Sequence, residues 1–278
     1  MEKLIITVAP CAPPTYFDDI PGLRLTPEVV AEEVYRAYNA GASLAHLHVL
    51  DEQGYPTDDL TAFCRTLELI RERCDIILEG STGGVGTLSA AERSVSLQTN
   101  IELASLNPGS VNYDADVYIN SPQDIDYWVK TMHARGIKPD IAIFETGMIA
   151  NAMRYAAEGL IEEPYLFSFV LGQAGAMPAT AKNLLHLAES IPPGSIWGVL
   201  GHGGYDLWAS SMAILMGGQA RAGFEDNLYY RPGELAKSNA QLVERLVRIA
   251  QEVGRDIASP GEARQVLGLA GTHDPPAL

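Results

Sequence analysis

Short runs of consecutive apolar residues alternate along this chain with longer stretches whose apolar residues recur every three or four positions. "LIITVA" (4–9) precedes "TPEVVAEEVYRAYNAG", where Thr26 is placed to N-cap, Pro27 takes the first helical position and Gly41 ends the helix. "SLAHLHV" (43–49) precedes an amphipathic stretch at 58–73, and "IILEG" (76–80) leads through a glycine-rich turn to a Ser89/Glu92 capping box. "ELASLN" (102–107) precedes a helix starting at Ser121-Pro122, and "DIAIFE" (140–145) a helix over 147–158. "YLFSFVL" (165–171) leads to "PATAKNLLHLAESI", and "SIWGVLG" (195–201) to a helix over 205–216. "ARAGFED" (220–226) leads to 233–253, where Leu235, Leu242, Leu246, Ile249 and Val253 trace one helical face. A last capped segment starts at Ser259, followed by Pro260, Gly261 and Glu262.

Eight strand–helix units in about 255 residues, with strands reading as continuous apolar runs, predict a (β/α)8 TIM barrel rather than a doubly wound open sheet. The expectation is one domain over 1–278, with a short C-terminal helical extension from about 255.

Composition narrows the function classes. Apolar residues make up 47% and charged residues 19% of 278, with 35 acids against 19 bases and a formal charge of −16. Such a field argues against nucleic acid and anionic membranes as partners, and an anionic small ligand needs a locally basic pocket. Cys11, Cys64 and Cys74 show neither disulfide nor metal spacing, and no apolar stretch approaches a signal peptide or a membrane span. A soluble, cytoplasmic protein is expected.

In a barrel of this kind the active site forms at the C-terminal strand ends. His46, His48, the Ser81-Thr82-Gly83-Gly84 turn, Asn107, Glu145, His202, Glu225 and Asp226 all fall there. Side chains at i and i+2 on a strand share a face, so His46 and His48 both point to the axis and form a chelating pair for a borderline metal such as zinc. A third ligand is open among Glu79, Glu145, His202, Glu225 and Asp226. Layers drawn from alternate strands favour Glu225 or Asp226, leaving the neighbouring carboxylate as a base. Arg221, four residues before Glu225, needs a carboxylate or an anionic ligand, and Asp226 and the incoming substrate are the obvious partners. "GSTGGVG" (80–86) and "SLNPGS" (105–110) have the character of anion-holding turns, with backbone N–H groups free to converge on a carboxylate. His133 and His186 read as helix-surface or packing residues.

The chain resembles the β-keto acid cleavage enzymes, a bacterial family of zinc-dependent TIM barrels. The likeness runs in order through "GASLAHLHVLDEQGYPT", "STGG", "ASLNPGS", "FETGMI", "WGVLG", "GGQARAGFEDNLYY", "LAKSNAQLVERLVRIAQEVGR" and "ARQVLGL". It implies that His46, His48 and Glu225 bind one zinc per chain, that Asp226 is the general base, and that Arg221 orients it. Ser81, Thr82, Gly83, Gly84 and Asn107 match segments that hold the substrate carboxylate. The implied reaction condenses a β-keto acid with acetyl-CoA and cleaves by retro-Claisen chemistry to acetoacetate and a new acyl-CoA, with zinc as Lewis acid. Relatives are commonly homotetramers, and "ARQVLGL" is placed to pack against a neighbour.

The chain also departs from the family. Ala142 stands where many relatives carry a Glu in the network around the arginine and the base. "APCAPP" replaces a Thr-Gly turn after the first strand, and "GHGGYD" lacks an Arg and a Gln after the seventh. Two other readings stand beside the cleavage enzyme. One is a zinc hydrolase on the same barrel, disfavoured because His-x-His lies on strand two and strands five and six add no histidine. The other is an inactive zinc-binding barrel subunit.

Overall fold

The computed structural model describes residues 2–17, 19–20, 23–84 and 88–269. Eight strands pair in parallel around a closed barrel: β1 (Ile6–Val8), β2 (Leu44–Leu47), β3 (Ile77–Gly80), β4 (Leu103–Leu106), β5 (Lys138–Ile143), β6 (Leu166–Leu171), β7 (Ile196–Gly201) and β8 (Gln219–Ala222). Each pairs with its neighbours in sequence, and β8 closes on β1 with Ile6 opposite Ala220 and Val8 opposite Ala222. Parallel neighbours require a crossover, supplied here by helices α1 (Pro27–Ala40), α2 (Leu60–Arg71), α3 (Ala90–Arg93), α4 (Pro122–Arg135), α5 (Gly147–Ala157), α6 (Ala181–Ser190) and α7 (Asp206–Met216), with α8 (Asn239–Glu252) following β8. The TIM barrel expected from the apolar pattern is the observed fold.

The caps read from the sequence form. The Thr26 side chain accepts from the Val29 N–H, and Gly41 closes α1 in the left-handed conformation at φ 115°. Ser89 with Glu92 and Ser121 with Asp124 make reciprocal capping boxes. No described helix is long and apolar enough to cross a membrane.

Two hairpins depart from the expected pattern. Val111–Tyr113 pairs with Asp116–Tyr118 between β4 and α4. Tyr229–Arg231 pairs with Glu234–Leu235, so α8 begins at Asn239 rather than 233. Leu235 therefore sits on an exposed hairpin strand and not on the helical face with Leu242 and Leu246.

The strand interiors are less apolar than their runs suggested. At the N-terminal end, Ile5, Leu44, Ile77, Leu103, Leu166 and Ile196 form one apolar layer. Above it lies a cavity of about 30 Å³ whose lining includes Thr7, Glu79, Asp140, Ser168, Gln219 and Arg221. Alternation sends the intervening aliphatic residues outward to the helices, which leaves the axis polar.

A ninth helix, α9 (Pro260–Leu267), closes the bottom. Its Ala263 and Leu267 complete the apolar layer, and Arg264 bonds Glu102 at 2.6 and 2.9 Å. The "ARQVLGL" segment thus packs into its own barrel, because its buried face matches that layer.

Candidate active site

β2 ends at Leu47, so His46 is the last inward residue of the strand and His48 the first beyond it. His46 is buried and His48 half-buried, with ring centroids 5.3 Å apart. On the far side of β1, β8 ends at Ala222 and the chain turns sharply at Gly223. A Cβ there would sit 2.1 Å from the Ala9 carbonyl oxygen, so only glycine lets the two strand ends approach this closely. The Glu225 N–H donates to Ala9 O at 3.1 Å, which fixes the turn to the end of β1. Phe224 N–H donates to Asn239 Oδ1, and Asn227 Nδ2 to Asp206 Oδ1, which also receives Arg245 through its other oxygen. The "FEDN" turn is thereby held from α7 and α8.

This turn carries Glu225 to the histidines. Glu225 Oε1 lies 3.6 Å from His46 Nε2 and 3.3 Å from His48 Nε2, and the three donor atoms fall within 4.8 Å of one another. Two ligands about 2.1 Å from a tetrahedral zinc stand about 3.4 Å apart, so the spacing suits such an ion. Glu225 Oε2 is buried and has no hydrogen-bond partner among the described residues, an orphaned acceptor that a cation would satisfy. Two imidazoles and one carboxylate with a fourth position left open match the donor set of a catalytic zinc site. Glu79, the register partner of His46 on β3, accepts from His46 Nδ1 at 2.9 Å and so turns Nε2 to the mouth.

Arg221 binds both carboxylates of the turn. Its guanidinium donates to Asp226 Oδ2 and Oδ1 at 2.8 Å each and to Glu225 Oε1 at 2.6 Å. Burial alone would raise the Glu225 pKa, but Arg221 and the two histidines hold it well below the usual carboxylate range. Burial opposes the charge on Arg221, and Asp226 with Glu225 outweighs it and raises the pKa well above its ordinary value. The Asp226 side chain is only 1% exposed.

The remaining sequence candidates separate. Glu79 backs His46, and Glu145 is exposed at the end of β5, outside the cluster. His202 lies among aromatic rings, 6.4 Å from Tyr113. His133 is on the exposed side of α4, and His186 Nε2 lies 3.1 Å from Thr146 Oγ1.

The glycine-rich turn differs from a free N–H cradle. Thr82 N–H donates to Ser105 Oγ, Gly83 N–H to Ser81 Oγ and Gly84 N–H to the Tyr118 hydroxyl. The short polar side chains around the turn absorb its own donors; Val85 and Gly86 lie outside the described residues. What the segment offers to a ligand is the Ser81 hydroxyl hydrogen and, next along the barrel, the Asn107 amide. Asn107 is 4% exposed and its side chain makes no hydrogen bond among the described residues.

Two groups were not foreseen as part of the site, Tyr113 and Tyr118 on the first hairpin, while Glu79, a candidate third ligand in the sequence, instead orients His46. A charged residue inside the buried run "IILEG" was the signal for Glu79. The hairpin tyrosines had none in the strand–helix alternation.

Comparison with known proteins gives a consistent picture. A family model described as beta-keto acid cleavage enzyme matches residues 3–269. The 3-keto-5-aminohexanoate cleavage enzyme of Fusobacterium nucleatum is 45% identical, covering 97% of this chain and 99% of that one. The 3-oxoadipate:acetyl-CoA acetyltransferase of Cupriavidus necator is 35% identical over 90% of this chain and 89% of its own. Among solved structures, the apo structure of ObcA superposes with a TM-score of 0.76 at 21% identity, covering 90% of this chain and 66% of that chain, a likeness of fold.

Proposed function

The chain belongs to the family of beta-keto acid cleavage enzymes, and from that premise we propose that it condenses a β-keto acid with acetyl-CoA and releases acetoacetate and a new acyl-CoA. The observation that carries this reading is Asp226, gripped by two hydrogen bonds from Arg221 and adjacent in the chain to the Glu225 that completes the His46–His48 set.

His46, His48 and Glu225 would hold one zinc, and Glu79 fixes the tautomer of His46. When bound, zinc would supply a Lewis acid to the keto and carboxylate oxygens of the acid. Asn107 and Ser81 are the polar groups left to hold the substrate carboxylate. Asp226 takes a proton from C2, the carbon between the keto and carboxylate groups, and the two hydrogen bonds from Arg221 keep its carboxylate aimed. C2 then bonds to the acetyl carbonyl carbon while CoA leaves as thiolate. The thiolate adds to the original keto carbon, the bond from that carbon to C2 breaks, and the electron pair left on C2 recovers the proton from Asp226. The products are acetoacetate and the acyl-CoA of the original acid, with every atom accounted for.

The test is a panel of β-keto acids with acetyl-CoA and zinc-loaded protein, read by acetoacetate release. Turnover that disappears in Asp226→Asn supports the reading. Hydrolysis of an ester or amide without acetoacetate would replace it with a zinc hydrolase, and zinc binding without any chemistry would favour an inactive barrel.

A further inference from the structure

Where the reacting end of the acid meets His46, His48 and Asn107, the substituent on its keto carbon must lie against another part of the mouth. The hairpin 111–118 supplies that part. Its tip is tied across the mouth by the Asp114 N–H, which donates to Ala174 O at 3.0 Å. Tyr113 stands edge-to-face with Tyr118 at 6.0 Å and with His202 at 6.4 Å, and Tyr118 stands edge-to-face with Phe144 at 6.0 Å. Four rings thus run continuously from the hairpin to the ends of β5 and β7. Tyr113 and His202 are half-buried and present the surface; Tyr118 and Phe144 are buried behind them.

Tyr113, on the hairpin after β4, and His202, just beyond β7, stand at the same C-terminal end of the barrel as the Glu225 turn beyond β8. The ring surface itself carries no charge, and Asp114 is exposed at the hairpin tip. Burial holds the His202 imidazole below its ordinary pKa, and burial together with Glu225 raises the Tyr113 phenol.

The nearby cations are committed. Arg221 is spent on Glu225 and Asp226. Arg93 donates to Thr82 O, Ile119 O and Asn120 Oδ1 and lies 4.9 Å from the ring centres of both Tyr118 and Trp128. A second carboxylate on the substrate would find no free positive partner in this wall, inside a protein of formal charge −16. An ammonium would find the carboxylates of Glu225 and Asp226 already held by Arg221, and would have to shed water against the rings.

We propose that this chain selects β-keto acids whose keto substituent is uncharged and apolar, an aryl or branched alkyl group, with Tyr113 and His202 as the specificity-determining residues. The assignment rests on the β-keto acid reading above. It sets the chain apart from the two relatives described above, one named for an amino-bearing and one for a dicarboxylic keto acid.

Four acids with acetyl-CoA test it: benzoylacetate, 3-oxo-5-methylhexanoate, 3-oxoadipate and 3-oxo-5-aminohexanoate. The expected kcat/KM favours the first two by at least about tenfold, and His202→Arg shifts the ratio toward 3-oxoadipate. Equal or greater turnover of either charged acid by the wild-type chain overturns the proposal while leaving the cleavage reaction in place. Absence of turnover on all four overturns the reaction instead. The wall is then read by calorimetric titration of the zinc-loaded protein with the same acids, where equal or tighter binding of the charged pair would sink it.

Discussion

Glu79 Oε1 lies 2.9 Å from His46 Nδ1, so a carboxylate on β3 decides which nitrogen the histidine on β2 turns toward Glu225. The two residues are direct register partners, and both are almost fully buried. A buried carboxylate behind a ligating imidazole fixes its tautomer and raises its basicity. Glu79→Ala is therefore expected to weaken zinc binding by about 10–100-fold, with Glu79→Gln losing less because the amide oxygen still accepts. Competition with a chromophoric chelator measures this; unchanged affinity in Glu79→Ala would remove the orienting role.

The ligand set makes its own prediction. The wild-type chain should hold one zinc, and the His46→Ala/His48→Ala double variant should lose it, since Glu225 alone cannot retain the ion. Elemental analysis after dialysis decides the point, with circular dichroism confirming that the barrel persists. Equal metal content in both proteins would place zinc elsewhere.

Asp226 separates chemistry from metal binding. Asp226→Asn keeps the shape and can still accept from Arg221, but it cannot take a proton. Acetoacetate formation should fall by at least about 10²-fold, with zinc content unchanged. Loss of zinc together with activity would instead make Asp226 a structural prop for the Glu225 turn.

Much of this was legible in the chain because the signals were local. Eight apolar runs at regular spacing, each followed by a helical stretch, specify a parallel barrel, and alternation aims both histidines inward. The choice between Glu225 and Asp226 was not legible from spacing. It depends on Gly223 bringing β8 against Ala9, a contact between residues far apart in sequence. The second hairpin was signalled by Pro232-Gly233 in "YYRPGEL", a turn dipeptide masked by the spacing of Leu235 to Leu242. The first hairpin turns at Asp114-Ala115, with Asp114 at φ 53°, and lacks the glycine that would have marked it. Polar residues on the barrel axis were hidden by aliphatic neighbours pointing the other way.

One of those axial residues should show itself in the pH dependence of stability. Asp140 accepts from Ser168 Oγ at 2.8 Å, its other oxygen is buried without a partner among the described residues, and it lines the axial cavity with Glu79. Burial first, and then the Glu79 charge, push its pKa from 3.8 to about 8. From about pH 4 to 8 the unfolded chain gives up this proton while the folded chain keeps it, so folding stability falls as pH rises through that window and levels off above it. Asp140→Asn removes the penalty and preserves the acceptor for Ser168. Its Tm advantage over wild type should grow from pH 4 to pH 8; an advantage that is absent or independent of pH would mean that Asp140 ionises freely.

The bottom of the barrel makes the opposite pH prediction. Glu102, just before β4, receives Arg264 from α9 at 2.6 and 2.9 Å and Arg71 from α2 at 2.8 Å, and Arg264 also reaches Asp75 at 2.8 Å. Burial alone would raise the Glu102 pKa, but the hydrogen bonds and charge of Arg264 and Arg71 bring it below 4.5. Arg264→Met strips α9 of its grip and leaves a buried carboxylate with one cation, a loss of about 3–5 kcal/mol. Adding Glu102→Gln should restore part of that, because no charge then remains to be desolvated. A group whose folded pKa is depressed stabilises above its unfolded pKa and loses that contribution as pH falls through the folded value. The gap in Tm between wild type and Arg264→Met should therefore be widest at neutral pH and close in acid. A gap that stays constant down to pH 3 would assign the loss to packing against Leu267 and its layer rather than to the ion pair.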